Sequence, residues 1–156
     1  MSGPSFLFWT VFTVLGVLGQ ALLPGVDLLA AGLIVSLQED RRSVSAWLFV
    51  VFVLLQEGQG SLPFGQSLLW YVLVALLFLL GRWMFEARNV FFVLLVGLLL
   101  GLAHFCLVYV MAALQDLAVY LPRLWRESAL QAGVLPLQWL LVRLTYLSVM
   151  PHGRKV

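Results

Sequence analysis

The feature that most constrains this chain is its series of apolar runs, separated by short polar breaks. The run 90–114 holds no Asp, Glu, Lys or Arg, and a helix of that length exceeds the roughly 30 Å core of a bilayer. Hydrophobic residues make up 63% of the chain and charged residues 10%. A soluble domain of this size keeps too much surface to bury so many apolar side chains. The sequence therefore predicts an all-α integral membrane protein.

Six apolar segments divide the chain, which we expect to form a single polytopic transmembrane domain, 1–156. Segments two and three hold about a dozen residues each, short of the roughly 20 needed to span. They are either short spanning helices or the arms of a re-entrant pair, and we favour six spans. Trp, Tyr and Arg in 115–128 predict a stretch on the membrane surface, and Trp70, Tyr71 and Trp83 are predicted in aromatic belts. The segments are 6–23, 26–37, 44–55, 66–85, 90–114 and 129–150.

Basic residues predict the orientation, because cytoplasmic loops are enriched in Lys and Arg. Six spans with a cytoplasmic N-terminus place seven basic residues inside and two, Arg123 and Arg126, outside. A four-span chain would place Arg41 and Arg42 outside. We therefore predict a multi-pass membrane protein with both termini cytoplasmic. The basic residues do not form a continuous run that could bind nucleic acid. The lipid bilayer is the expected environment of the chain. The seven inner residues are Arg41, Arg42, Arg82, Arg88, Arg143, Arg154 and Lys155.

Three ionisable residues in or beside apolar segments need an explanation, since such groups are costly in a membrane. Asp27 either binds a partner or handles protons, or it is the N-cap of segment two, the interpretation we favour. Glu57 either binds a cation or an arginine, or is a solvated residue of a glycine-rich loop. His104 is a proton relay, a metal ligand or, as we favour, a neutral residue hydrogen-bonded across a helix interface. Cys106 lies about 200° around the helix from His104, which argues against a metal site.

No nucleophile–base pair, metal-ligand cluster or nucleotide-binding motif is visible in the sequence. We therefore predict no catalytic residues, no cofactor and no metal. Gly97 and Gly101 form a Gly-x-x-x-Gly spacing that allows two helices to approach closely. Gly16 and Gly19 in segment one are also predicted to serve close packing.

The order of several short motifs resembles the MreD family, a membrane subunit of the bacterial cell-elongation machinery. The first is Pro24-Gly25-Val26-Asp27, and the second is Glu57, eight residues before Phe64-Gly65, where the family usually has Asp and Leu-Gly. Arg88-Asn89 precedes segment five, and Ala132-Gly133-Val134-Leu135-Pro136 opens the last segment, before Arg143. Together the motifs cover nearly the whole chain.

The resemblance implies a fold similar to the substrate-binding subunits of energy-coupling-factor vitamin transporters, and no catalysis. It also implies a location in the bacterial inner membrane. The implied partners are an MreC-like bitopic protein and, indirectly, MreB, a SEDS glycosyltransferase and a penicillin-binding transpeptidase. The expected function is a non-catalytic scaffold of the elongation complex, involved in cell shape and peptidoglycan synthesis. The candidate partner-binding residues are Asp27, Glu57, Gly65, Gly97 and Gly101.

Two alternatives remain open. One is a substrate-binding membrane subunit of a vitamin or metal transporter, for which Gln56, Gln59 and Gln66 would line a pocket. The other is a structural subunit of a different membrane complex.

Overall fold

The computed structural model describes residues 3–59, 65–84 and 89–149, and all regular structure in these ranges is helical. Each helix corresponds to one predicted segment. Four of them, α1, α4, α5 and α6, are long and apolar enough to cross a membrane, so the chain is built as an all-α membrane protein. The helices are α1 (Gly3–Leu22), α2 (Ala30–Gln38), α3 (Arg42–Gly58), α4 (Gln66–Met84), α5 (Val90–Leu114) and α6 (Leu121–Val149).

The shortest helix, α2, forms the centre of the bundle. Its first seven residues, Ala30 to Ser36, are all buried, and it packs against α3, α4 and α6. A helix that is apolar all round is stable only when other elements surround it. With 9 residues, α2 is only about 14 Å long, so it is the helix that departs furthest from a full span.

The helix α3 runs antiparallel to α4 along its length. Near the end of α3, the Glu57 carboxylate accepts hydrogen bonds from the backbone N–H groups of Gly65 and Ser67, at the start of α4. Just before α3 begins, Asp40 forms an ion pair with Arg82 near the end of α4, at 3.0 Å. The two contacts lie at opposite ends of the pair.

The bundle therefore has two chemically different ends. The arginine end contains Asp40, Arg41, Arg42 and Arg82. The Arg82 guanidinium donates to the Asp40 carboxylate and holds its pKa below the usual value. The opposite end brings together the last turns of α1, α3 and α5 and the first turns of α4 and α6, and it is called the cavity end below.

The last helix begins earlier than predicted. A surface stretch over 115–128 was expected, but α6 continues unbroken from Leu121 to Val149, so that prediction is wrong from Leu121 onward. Pro136 lies inside α6 and cannot donate to the carbonyl of Ala132 four residues earlier. Because that carbonyl packs against Gly97 of α5, the helix tolerates the proline within a close helix–helix contact.

The Gly-x-x-x-Gly pair of α5 lies on the surface that contacts α6. A Cβ added to Gly101 would be 2.8 Å from the Ser128 carbonyl oxygen, and one added to Gly97 would be 3.0 Å from that of Ala132. In α1, Gly16 and Gly19 lie against leucine side chains just before α2. Close helix packing is therefore confirmed for Gly97 and Gly101, whereas Gly16 and Gly19 contact the connection between α1 and α2.

Aromatic residues near the ends of α4 have different surroundings. Trp70 and Tyr71 are buried and Trp83 is exposed, so the prediction of an aromatic belt is wrong for Trp70 and Tyr71. Their polar atoms instead contact Asp27.

Several predicted features lie outside the described residues, namely the middle of the glycine-rich loop at 60–64, the turn residue Arg88, and the basic tail with Arg154 and Lys155.

Candidate functional site

The connection between α1 and α2, residues 23–29, is non-helical, and its second half, 26–29, lies inside the bundle. Non-helical backbone at membrane depth is tolerated only where protein or water satisfies its polar groups. Two glutamines of α6 do so here. Gln131 accepts from the N–H of Asp27 at 2.7 Å and donates to its carbonyl at 3.4 Å, and Gln138 donates to the carbonyl of Leu28. The two side-chain amides thus fix this segment against α6.

Asp27 lies at the centre of a hydrogen-bond network that joins four helices. Its Oδ2 accepts from the indole N–H of Trp70 at 2.6 Å. Its Oδ1 accepts from the backbone N–H of Leu29 at 2.8 Å and from the Tyr71 hydroxyl at 3.1 Å. The amides of Gln20 in α1 and Gln56 in α3 also donate to Oδ1, at 3.1 and 3.4 Å. Together with Gln131, these contacts link α1, α3, α4 and α6 around one carboxylate.

Every hydrogen bond at the Asp27 side chain is one that a carboxyl oxygen accepts. An indole N–H and a backbone N–H can only donate, and each carboxyl oxygen receives one of them. No Lys, Arg or His within the described ranges forms an ion pair with Asp27. The donors at this side chain are therefore neutral groups, and Oδ2, with a single donor, retains hydrogen-bonding capacity.

The favoured interpretation of Asp27 as the N-cap of α2 is wrong in position. The N-cap is Leu29, and no side chain caps it. Asp27 instead accepts from the N–H of Leu29 two residues ahead, which forms a local turn before the helix.

Glu57 and Gly65, eight residues apart, meet at the start of α4. Both Glu57 carboxylate oxygens lie 3.1 Å from the N–H of Gly65, and Oε1 also accepts from Ser67. An acidic group at a helix N-terminus satisfies free N–H groups and interacts favourably with the helix dipole. Gly65 has φ +84°, a conformation that favours glycine. Glu57 therefore caps α4 and is not simply a solvated loop residue.

A cavity of about 540 Å³ opens beside this network at the cavity end. The three glutamines predicted to line a pocket, Gln56, Gln59 and Gln66, all line this one. The other wall is apolar and comes mainly from α5. Two buried polar atoms in the lining, Gln20 Oε1 and Ser67 Oγ, have no hydrogen-bond partner within the described part of the chain. The remaining lining residues are Gln20, Pro24, Gly25, Val26, Asp27, Ser67, Trp70, His104, Leu107, Val108, Ala112, Leu117, Arg123 and Glu127.

His104 lies in the cavity wall and bonds to a neighbouring helix. Its Nδ1 is 3.1 Å from the Ser128 hydroxyl on α6, which confirms the predicted hydrogen bond across a helix interface. The ring also packs edge-on against Trp70, with centroids 5.6 Å apart. Cys106 is exposed, so the two side chains lie on different faces of α5, as predicted.

The five candidate partner-binding residues fall into two groups. Asp27, Glu57 and Gly65 lie at the cavity end, whereas Gly97 and Gly101 face α6 and their contacts are within the chain. Binding of a partner by any of the five stays a prediction. For Gly97 and Gly101, substitution would act first on the α5–α6 contact.

Several residues of the site could not be assigned from the sequence. Trp70 and Tyr71 were predicted to lie in a belt, and Gln20 and Gln131 were given no role. The available signal was the presence of glutamines inside apolar segments, because polar side chains there usually find a partner in another helix. Which partner they find depends on the helix arrangement.

Within residues 3–59, 65–84 and 89–149, no three His, Cys, Asp or Glu side chains are grouped so as to hold a metal ion. The arrangement instead provides a cavity for binding, with polar groups on one side and apolar groups on the other. No family model matches the chain, and no curated protein or solved structure matches it either.

Proposed function

We propose that the chain is a non-catalytic, MreD-like membrane subunit of the bacterial cell-elongation complex that binds an MreC-like single-span partner. One observation carries the proposal. Several described residues of the motifs that resemble the family also fix the helices to one another. Asp27 joins four helices, Glu57 binds Gly65, and Ala132 and Pro136 pack on Gly97. Because these motif residues make specific contacts between helices, we infer that the resemblance is more than a coincidence of apolar composition.

The proposed topology has six spans with both termini in the cytoplasm. The antiparallel course of α3 and α4 supports it, because the contacts at their ends lie on opposite sides of the bundle. The arginine end would then face the cytoplasm and the cavity end the periplasm.

The experiment is a pull-down of the tagged chain from its native membranes, with partners identified by mass. We expect an MreC-like single-span protein, accompanied by other elongation proteins. The control is the same tag on an unrelated multi-pass protein of the same membrane. A complex without elongation proteins would contradict the proposal, as would equal recovery with the control.

A second candidate function is a substrate-binding membrane subunit for a small solute. It is favoured by the cavity, whose volume lies in the usual range for small-molecule sites and whose polar groups converge from five helices. Purified protein should then gain thermal stability in a screen of vitamins and metal ions. A screen without any stabilising solute would count against this function and leave the scaffold proposal unaffected.

A further inference from the structure

We propose that the cavity binds an organic ammonium group, which Asp27 and the unpartnered acceptors beside it recognise. This inference rests on the second candidate function, that the cavity takes a small solute, and it names the class of solute. Three observations support it: the open polar atoms, the charge of the lining and the aromatic wall.

The open polar atoms are suited to a ligand with several N–H donors. Asp27 Oδ2 accepts a single hydrogen bond, from Trp70, and a carboxylate oxygen can accept two. Gln20 Oε1 is buried without a partner within the described ranges and can only accept. Ser67, at 2% exposure, also has an unpartnered hydroxyl. A buried polar atom without a partner destabilises the protein, so a ligand that supplies donors would recover that cost.

The charge of the lining is negative. Three charged side chains line the cavity, and two of them, Arg123 and Glu127, form an ion pair at 2.7 Å. The Asp27 carboxylate remains without a cation among the described residues. The last turns of α1, α3 and α5 contribute further negative potential from their carbonyl groups. Three helices, α2, α4 and α6, begin at this end. Carboxylates already face two of these N-termini, because Asp27 accepts from the N–H of Leu29 before α2 and Glu57 caps α4. The site therefore favours a cation over an anion.

The aromatic and apolar walls favour an organic cation over a hydrated inorganic one. Trp70 donates its N–H to Asp27 while its ring borders the cavity, next to His104. An ammonium group over the face of this ring would be held by a cation–π interaction. Leu107, Val108 and Leu117 add apolar surface to the lining. The cavity volume, about 540 Å³, accommodates an amine with an attached carbon skeleton.

The test is calorimetric titration of the purified full chain, in non-ionic detergent, with tryptamine and with its neutral analogue tryptophol. The two probes have the same ring and differ in an ammonium against a hydroxyl group, and empty micelles give the partition background. We expect tryptamine to bind with at least tenfold higher affinity than tryptophol. Equal affinities, saturable binding of tryptophol alone, or no saturable binding of either would overturn the ammonium assignment.

Two variants test the assigned residues. Asp27→Asn removes the charge, and Gln20→Met removes the open acceptor with little change in volume. Each should weaken tryptamine binding about tenfold, while Asp116→Asn, at an exposed turn, should not. If Asp27→Asn fails to fold, the tryptamine affinity of Gln20→Met still tests the assignment. Unchanged binding in a folded variant of either kind would overturn the assignment. If tryptamine fails but the vitamin and metal screen finds a solute, the cavity is a solute site of another class.

Discussion

Asp27 is the residue on which the helix arrangement depends most. Asp27→Ala would leave the Trp70 and Leu29 N–H groups without their acceptor. We expect it to lower the free energy of unfolding by about 2–4 kcal/mol, since each unsatisfied buried donor costs about 1–3 kcal/mol. Asp27→Asn retains one acceptor oxygen and should cost less. Thermal unfolding in detergent measures both, with the exposed Asp116→Asn as the unchanged control. A fully stable Asp27→Ala protein would contradict the central role of this carboxylate.

Gly65 provides a second prediction, in which backbone conformation alone determines how a substitution changes stability. Its φ is +84°, and an added Cβ would have no atom within 4 Å. Gly65→Ala should therefore lower stability by about 1 kcal/mol through backbone strain. Gly58, in the last turn of α3, also has open space but no positive φ, so Gly58→Ala should be neutral or slightly stabilising. Equal effects of the two substitutions on the unfolding temperature would contradict this explanation.

The sequence could identify Asp27, Glu57 and His104 as polar residues requiring partners, because the cost of exposing them to lipid is general. It could not identify the partners. Those of Asp27 lie 43 and 104 residues away at Trp70 and Gln131, and no local pattern encodes such a pairing. The contact between Glu57 and Gly65 was easier to predict from the sequence, because the two residues are only eight positions apart and belong to one motif.

At the scale of elements, the contact of α5 with α6 depends on the two glycines of α5. Gly101→Ala would place a Cβ 2.8 Å from the Ser128 carbonyl oxygen and 2.7 Å from the Ala132 Cβ, so the helices must separate. We expect a loss of about 1–3 kcal/mol, typical of overpacking. The His104–Ser128 hydrogen bond should weaken as well. Gly133→Ala in α6 is the matched control, because an added Cβ there contacts nothing within 4 Å.

Thermal unfolding and retention on gel filtration in detergent measure this pair of variants. If Gly101→Ala is as stable as Gly133→Ala, the close approach of α5 and α6 at this position is wrong. A folded Gly101→Ala protein that loses an MreC-like partner would instead favour the predicted role of Gly101 in partner binding.

Helix positions were predictable because hydrophobic runs and polar breaks follow from the cost of exposing charge to lipid. The two errors have a common cause. Tyr and Trp with arginines are typical of interfaces, but in this chain the residues from Leu121 onward continue α6, and Trp70 and Tyr71 bind Asp27. Residue type indicates where Trp, Tyr and Arg lie on average in membrane proteins. The location of any one of them depends on how the neighbouring helices pack.

At the scale of the whole molecule, the polarity of the bundle connects fold and function. Arg41, Arg42 and Arg82 lie at one end, and at the other end the cavity and the Asp27 network lie together, beside Arg123 and Arg126. If the arginine end faces the cytoplasm, the cavity opens toward the periplasm. A periplasmic site is accessible to external solutes and to the outer segment of a single-span partner. The orientation of the chain is therefore the first quantity to establish.

Cysteine labelling tests that orientation. In a Cys106→Ser background, Ser43→Cys reports the arginine end and Gln115→Cys the cavity end, both at exposed positions. With a membrane-impermeant maleimide and cells whose outer membrane is permeabilised, we expect Gln115→Cys to react at once. Ser43→Cys should react only after the inner membrane is opened, because α1 and α2 return the chain to the side of its N-terminus. Immediate labelling at Ser43 would favour the four-span chain, which places Arg41 and Arg42 outside. The six-span topology would then be wrong, and so would the Asp40–Arg82 ion pair, which places the start of α3 beside the end of α4.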